Sequence, residues 1–198
     1  NESKVELELI AIHKDHSVAL KDIENLKYLA KRVKNKVYLR NYVSTEAGAT
    51  KPLAALTARY LITLPEECPV YLKNHFGEAN ISNLTNSLRV NSEFSSIGLD
   101  NIQGTVDVQS RFGDIIGDLI DGQVRINSRR SDILLTNISG SYDITSHYGV
   151  IRIFAEDELL KLNLDATHSD VYFINPNPAF YSYILVANQG DINVPDDL

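Results

Sequence analysis

Two aspartates 18 residues apart, Asp114 and Asp132, are the side chains in this sequence best suited to acid–base or metal chemistry. Each follows a small residue, in "RFGDII" and "RRSDIL". Carboxylates brought together from neighbouring segments could share a Ca²⁺ ion or act as a general acid and base. An aspartate after a turn residue also commonly accepts hydrogen bonds from nearby backbone N–H groups. Both interpretations remain open from the sequence.

Charged residues recur around these aspartates with the same spacing. Glu93, Arg111, Arg129 and His147 succeed one another every 18 residues, and Arg130 adjoins Arg129. A solvated ladder of charges is one explanation, with the acidic residues neutralising the arginines. The segment is nevertheless the densest polar cluster of the repeat. We therefore predict that a ligand site, if present, comprises Arg111, Asp114, Arg129, Arg130, Asp132 and His147.

The apolar residues follow the same 18-residue period. Coils begin at Val70, Leu88, Val106, Val124 and Tyr142, and, once short insertions are allowed, near Leu162 and Tyr183. Apolar and polar residues alternate within short pieces, which is typical of strands and not of helices. A short repeat without a helix predicts an all-β fold, a single-stranded parallel β-solenoid with seven coils stacked about 4.8 Å apart.

An aromatic residue occupies the seventh place of most coils, as in Phe76, Phe94, Phe112 and Tyr148. Rings exposed one coil apart could stack on successive sugar rings. Rings packed inside a corner would instead belong to the core. Because the first and third places point inward, alternation also turns the seventh place inward. We therefore expect these rings in the core.

Residues 1–57 lack the repeat and predict a small α/β segment before a solenoid domain at 58–198. Strands are expected at 4–12, 36–43 and 57–65, a helix from Asp15 to Leu26, and a loop at 45–57. A terminal coil exposes unpaired strand groups that invite aggregation. We predict that the N-terminal segment caps this end of the solenoid.

Composition excludes several functional classes. The formal net charge of −7 and the absence of a basic block argue against a nucleic-acid-binding protein. The single Cys68 and the scattered histidines provide no disulfide framework and no zinc-ligand spacing, so we expect no metal or other cofactor. No apolar run approaches the roughly 20 residues of a transmembrane helix.

The segments "YLITLPEECPV", "VYLKNHFGEANISNL" and "VDVQSRFGDIIGDLIDGQ" resemble bacterial domains of unknown function that are described as adhesins, of the type common in Bacteroidetes. The resemblance covers roughly residues 57–155. It implies a periplasmic, cell-surface or secreted β-solenoid whose signal peptide has been removed, and it brings no catalytic motif.

We accordingly expect a noncatalytic module that presents a repetitive face to a glycan or a surface protein. A self-assembling scaffold is the second interpretation. A polysaccharide-cleaving enzyme that uses Asp114 and Asp132 is the third. The ligand and the oligomeric state are left open by the sequence.

Overall fold

The computed structural model of the chain describes residues 3–44 and 51–195, in two compact units that divide after Pro65. The division lies later than the expected boundary at residue 57, because the strand that contains this residue pairs within the first unit. Residues 45–50 of the expected 45–57 loop lie outside the described residues.

The first unit contains two antiparallel pairs of strands and one helix. Strand β1 (Lys4–Ile12) pairs with β4 (Ala55–Thr63), close to the segments expected from the sequence. Helix α1 (His16–Ile23) begins at its N-cap Asp15, whose carboxylate accepts the Ser17 N–H at 2.8 Å. Hydrogen bonding, chiefly from the Ser17 hydroxyl, lowers the pKa of Asp15. The helix is therefore confirmed but ends at Ile23, before the expected Leu26.

The segment after the helix forms a hairpin. Strand β2 (Leu26–Val33) pairs with β3 (Lys36–Val43) across a turn at Lys34, which has a φ of 54°. Only β3 was expected, because "LKYLAKRV" does not alternate apolar and polar residues. The pairing with β3 decides its conformation instead.

The second unit is a parallel β-solenoid, as the period predicts. Its strands β5 (Val70–Leu84), β6 (Leu88–Arg111), β7 (Ile115–Arg129) and β8 (Ile133–Ile174) neighbour one another in chain order. Every paired residue lies opposite the residue 18 positions later, as in Val70 with Leu88 and Ile97 with Ile115. The all-β fold class and the 18-residue coil are therefore confirmed.

Equivalent places on successive coils form the core of the solenoid. The third-place residues Val90, Val108, Ile126 and Ile144 are fully buried. Among the first-place residues, Tyr142 is also buried, and its hydroxyl donates to the Ile120 carbonyl at 2.7 Å. Burial, with the charge of Asp121 nearby, raises the pKa of Tyr142 far above its usual range. Because apolar residues at the same place stack on one another, each coil buries apolar surface against the next.

The solenoid makes fewer turns than the seven expected. Strand β8 continues beyond the ladder with β7, and within it Tyr148 stacks on His168. After Ile174 the described chain, to residue 195, contains a 3-10 helix at Pro178–Phe180 and no strand. No coil therefore forms from Tyr183 onward in that range. Proline lacks the N–H that a parallel ladder requires, and Pro176 and Pro178 follow the last strand directly.

Candidate functional site

One corner of the solenoid is built from residues in the left-handed region of backbone conformation. These seventh-place residues have φ between 52° and 65°: Phe76, Phe94, Phe112, Arg130, Tyr148 and, after a two-residue insertion, His168. Such φ values are uncommon for residues other than glycine. They turn the chain sharply, so the inward–outward alternation of the preceding strand does not continue through the corner.

The side chains of this corner consequently point outward. Phe76 is 72% exposed and Phe112 is 38% exposed. The expectation that these rings fill the core is therefore wrong. It assumed extended backbone throughout, whereas a left-handed residue redirects its side chain.

The six seventh-place side chains form a continuous column, hereafter the corner column. The rings of Phe76 and Phe94 stack with centroids 5.3 Å apart, and those of Phe94 and Phe112 stack at 4.8 Å. The Arg130 guanidinium lies 5.5 Å from the Phe112 centroid and 5.9 Å from the Tyr148 centroid. Each stacked pair of aromatic rings contributes about 0.5–1.5 kcal/mol.

The stacking decides what the corner column can bind. Phe94 is covered on both faces by Phe76 and Phe112, whose planes are tilted from it by only 7° and 6°. Sugar stacking requires an open ring face, and the column presents mainly ring edges to solvent. The main role of the rings is therefore to stabilise the packing of each coil on the next.

The two aspartates on the other side of this corner bind the backbone of the next coil. Asp114 Oδ1 accepts the Asp132 N–H at 3.1 Å, and Asp132 Oδ1 accepts the Val150 N–H at 2.8 Å. These bonds give both carboxylates a structural role. Within residues 3–44 and 51–195, no group of three or more His, Cys, Asp or Glu side chains is placed to hold a metal ion.

Polar side chains before the corner line a shallow groove of about 370 Å³. The sixth place contributes Glu93, Arg111, Arg129 and His147, and the fourth place contributes Asn91, Gln109, Asn127 and Thr145. We call these eight residues the arginine groove. Arg129 lies in register between Arg111 and His147, so three exposed basic side chains follow one another on adjacent coils.

The arginines of the groove form no ion pair among the described residues. Glu93, the acidic residue of the groove, contacts His75 on the preceding coil, with His75 Nδ1 and Glu93 Oε2 3.2 Å apart. The ion pairs found among the described residues do not include Arg111 or Arg129. The expected neutralisation of the arginines by neighbouring acidic residues is therefore not observed.

The second place of the same face shows the opposite arrangement. Arg89 pairs with Asp107 at 3.1 Å, and Arg125 lies 3.8 Å from Asp143. The face therefore alternates charge at the second place and accumulates positive charge at the sixth.

Buried serines form the floor of the arginine groove. Ser92 and Ser110 donate to backbone carbonyls at the adjacent corner, and Ser128 donates to Ser146 at 2.8 Å. Their exposed fractions are 4% or less. Because these hydroxyls are already satisfied, the floor is rigid and the exposed side chains above it are the ones available to a ligand.

The structure thus separates the six residues singled out in the sequence. Three of them line the arginine groove: Arg111, Arg129 and His147. Arg130 belongs to the corner column. The two aspartates accept hydrogen bonds from the backbone of the next coil. The fourth-place amides of Asn91, Gln109 and Asn127 were missed. Their 18-residue spacing was visible in the sequence, but it drew no attention because amides carry no charge.

Among the described residues, no helix is long and apolar enough to cross a membrane.

Comparison with known proteins identifies the fold family. No curated protein matches the chain, and no solved structure matches it. The model of a family described as Toastrack DUF4097, a domain of unknown function, matches residues 56–197, which is more than half of the chain. Together with the 18-residue coils, this match shows that the chain belongs to the Toastrack DUF4097 family.

Proposed function

We propose that the protein is a noncatalytic binding module of the bacterial cell envelope or exterior, and that its arginine groove binds an acidic glycan. The supporting observation is the in-register pair of exposed arginines, Arg111 and Arg129, with no ion-pair partner among the described residues. Two like charges on adjacent coils repel each other, and a bound anion relieves this repulsion.

The chemistry of the groove suits a carbohydrate that carries carboxylate or sulfate groups. A guanidinium binds such groups through two parallel hydrogen bonds. The exposed amides of Asn91, Gln109 and Asn127 offer both donors and acceptors to sugar hydroxyls. Because the coils are rigid repeats, the two arginines and the amides recur on adjacent coils at intervals of about 4.8 Å.

The position of the aspartates supports binding in preference to cleavage. Asp114 and Asp132 each commit one carboxylate oxygen to a backbone N–H of the following coil. A general acid or base needs a carboxylate directed at the substrate.

An acidic surface protein would meet the same cationic groups, so the adhesin interpretation accommodates a protein ligand too.

A pair of matched variants tests the groove. Arg111→Gln with Arg129→Gln removes two charges from the groove, whereas Arg89→Gln with Arg125→Gln removes two from the ion-paired second place of the same strands. The probes are polygalacturonate, heparin and neutral dextran on a solid support, with retention and new chain ends measured together.

We expect retention on the two acidic polymers and none on dextran. The groove variant should bind at least about tenfold more weakly, since each lost charge-assisted contact contributes roughly 1.5–3 kcal/mol. The second-place variant should bind within about threefold of the original protein, because exposed ion pairs contribute little. Equal losses in both variants, or retention on dextran, would contradict the groove assignment. New chain ends would make the protein an enzyme.

A further inference from the structure

The β2–β3 hairpin concentrates positive charge that the composition of the whole chain conceals. Residues 26–43 contain six basic side chains and no acidic one, in a chain with a formal net charge of −7. These residues are Lys27, Lys31, Arg32, Lys34, Lys36 and Arg40. The expectation that the chain lacks a basic block is therefore wrong for this segment, because acidic residues elsewhere outnumber and mask it.

The strand pairing places four of these six charges on one face, in alternation with apolar groups. Directly opposed residues of an antiparallel pair share a face. On the first face each opposed pair joins one cation to one apolar or aromatic side chain: Lys27 with Tyr42, Leu29 with Arg40, Lys31 with Tyr38, and Val33 with Lys36. The Arg40 guanidinium lies 5.9 Å from the Tyr42 ring centroid.

The second face is mostly apolar. Its opposed pairs are Leu26 with Val43, Tyr28 with Asn41, Ala30 with Leu39, and Arg32 with Val37. The hairpin thus has an apolar face and a face on which cations surround tyrosines.

Both faces are accessible in the described structure. Every residue of β2 after Leu26 is exposed, and in β3 only Leu39 is half-buried. Tyr28 is 59% exposed and Val37 is 61% exposed. A two-stranded hairpin is marginally stable in water by itself, and clustered exposed apolar side chains mark an interaction surface.

We propose that this hairpin binds the surface of a bilayer that contains anionic phospholipids. Lysine and arginine side chains are attracted to the negative surface, and each contributes about fivefold to the binding constant. Tyrosine rings settle at the level of the headgroups, and lysine stems extend along apolar surface while their ammonium groups stay in water. The apolar face then enters the acyl boundary.

The apolar side chains distinguish a bilayer from a nucleic acid. A phosphate backbone is met by basic and polar side chains, and its affinity is mainly electrostatic. Leu29 and Val33 oppose cations on the first face, and Val37 and Val43 lie on the second face. None of these apolar side chains contributes to such contacts. They do contribute at a bilayer, where burial of apolar surface adds to charge attraction.

Vesicle co-sedimentation of the full chain tests the proposal. Vesicles of equal parts phosphatidylcholine and phosphatidylglycerol are compared with vesicles of phosphatidylcholine alone. The hairpin variant carries Lys27→Gln, Lys31→Gln, Lys36→Gln and Arg40→Gln. The matched control carries Lys14→Gln, Lys21→Gln, Lys51→Gln and Lys73→Gln, four exposed lysines outside the hairpin.

We expect binding to the anionic vesicles, weakened by added salt, and none to the neutral vesicles. The hairpin variant should lose affinity on the order of several hundredfold, whereas the control should stay within about fivefold. Equal losses in the two variants would overturn the proposal, because net charge and not the hairpin would then govern binding. Equal binding to neutral vesicles would also overturn it. Circular dichroism establishes that both variants fold.

A fluorescent reporter tests insertion independently of the charge substitutions. The chain contains no tryptophan, so Tyr28→Trp places a single indole on the apolar face. Its emission should shift to shorter wavelength with anionic vesicles and stay unchanged with single-stranded DNA. Binding to DNA as tight as to the vesicles, without a spectral shift in either case, would identify the hairpin as a nucleic-acid surface and overturn the proposal.

Discussion

The guanidinium of Arg130 lies 5.5 Å from the ring centroid of Phe112, in the place where the preceding coils have a phenylalanine. A cation thus continues an aromatic column. Because Arg130 also contacts Tyr148, it joins the two halves of the corner column.

Replacement of Arg130 should reveal this bridging role. Arg130→Ala removes both cation–π contacts, and we expect the free energy of unfolding to fall by about 1–2 kcal/mol in urea titrations. Arg130→Phe should retain most of the stability by completing the aromatic column. Arg129→Ala, an exposed neighbour outside the column, serves as the control and should change stability by less than about 0.5 kcal/mol. If the two alanine variants lower the free energy of unfolding equally, the contacts of Arg130 in the corner column do not contribute to stability.

Substitutions at Phe94 distinguish the cost of its left-handed backbone from the contribution of its ring stacking. Phe94 has a φ of 52° and stacks on two rings. Phe94→Ala loses both stacks and should destabilise the protein by about 1–3 kcal/mol. Phe94→Gly loses the same contacts but relieves left-handed strain of about 1 kcal/mol, so it should be the more stable of the two variants. Chemical denaturation that ranks glycine below alanine would contradict the backbone geometry.

Gly122 stands where coils approach too closely for a side chain. A Cβ at this position would overlap the carbonyl oxygen of Gly104 on the preceding coil, and its φ is 139°. We expect Gly122→Ala to destabilise the solenoid by more than about 3 kcal/mol, measured as thermal unfolding. Gly77→Ala is the control, since its φ is 108° but its Cβ would meet no atom within 4 Å. Equal melting temperatures for the two variants would refute the close approach.

The hydrogen-bonded carboxyl of Asp118 should make the stability of the protein depend on pH. Hydrogen bonding, chiefly from the Thr136 hydroxyl at 2.6 Å and also from the Asn137 amide, lowers the pKa of Asp118 below its ordinary 3.8. A carboxyl with a lowered folded-state pKa stabilises the fold above its unfolded pKa. This contribution disappears as the pH falls from there through the folded-state pKa.

The corresponding comparison uses Asp118→Asn. At neutral pH the original protein should be the more stable, and the difference should shrink when the pH falls below about 3.8, the unfolded value. Urea titrations at a series of pH values measure it. Asp100→Asn, at the equivalent place one coil earlier, is the matched control for the loss of one carboxylate from this face. A constant difference for Asp118→Asn at all pH values would contradict the hydrogen-bonding account.

The 18-residue period by itself determined the solenoid. Parallel in-register pairing places identical positions on top of one another, so a sequence with apolar residues at fixed places can bury them only by stacking coils. The stacks through Val90, Val108 and Ile126 were therefore predictable from the spacing alone. The Asp15 helix start and the β3 strand were also readable, because capping and alternation are local signals.

The tertiary structure alone decided where the corner side chains point. Alternation predicts orientation only while the backbone is extended, and the left-handed φ of Phe94 or Arg130 reverses the outcome. The partners of Asp114 and Glu93 lie on neighbouring coils, so their roles became visible only when the coils were stacked. The cationic face of the β2–β3 hairpin likewise depends on cross-strand register, since Lys31 and Tyr38 are adjacent in space but separated in sequence by the turn.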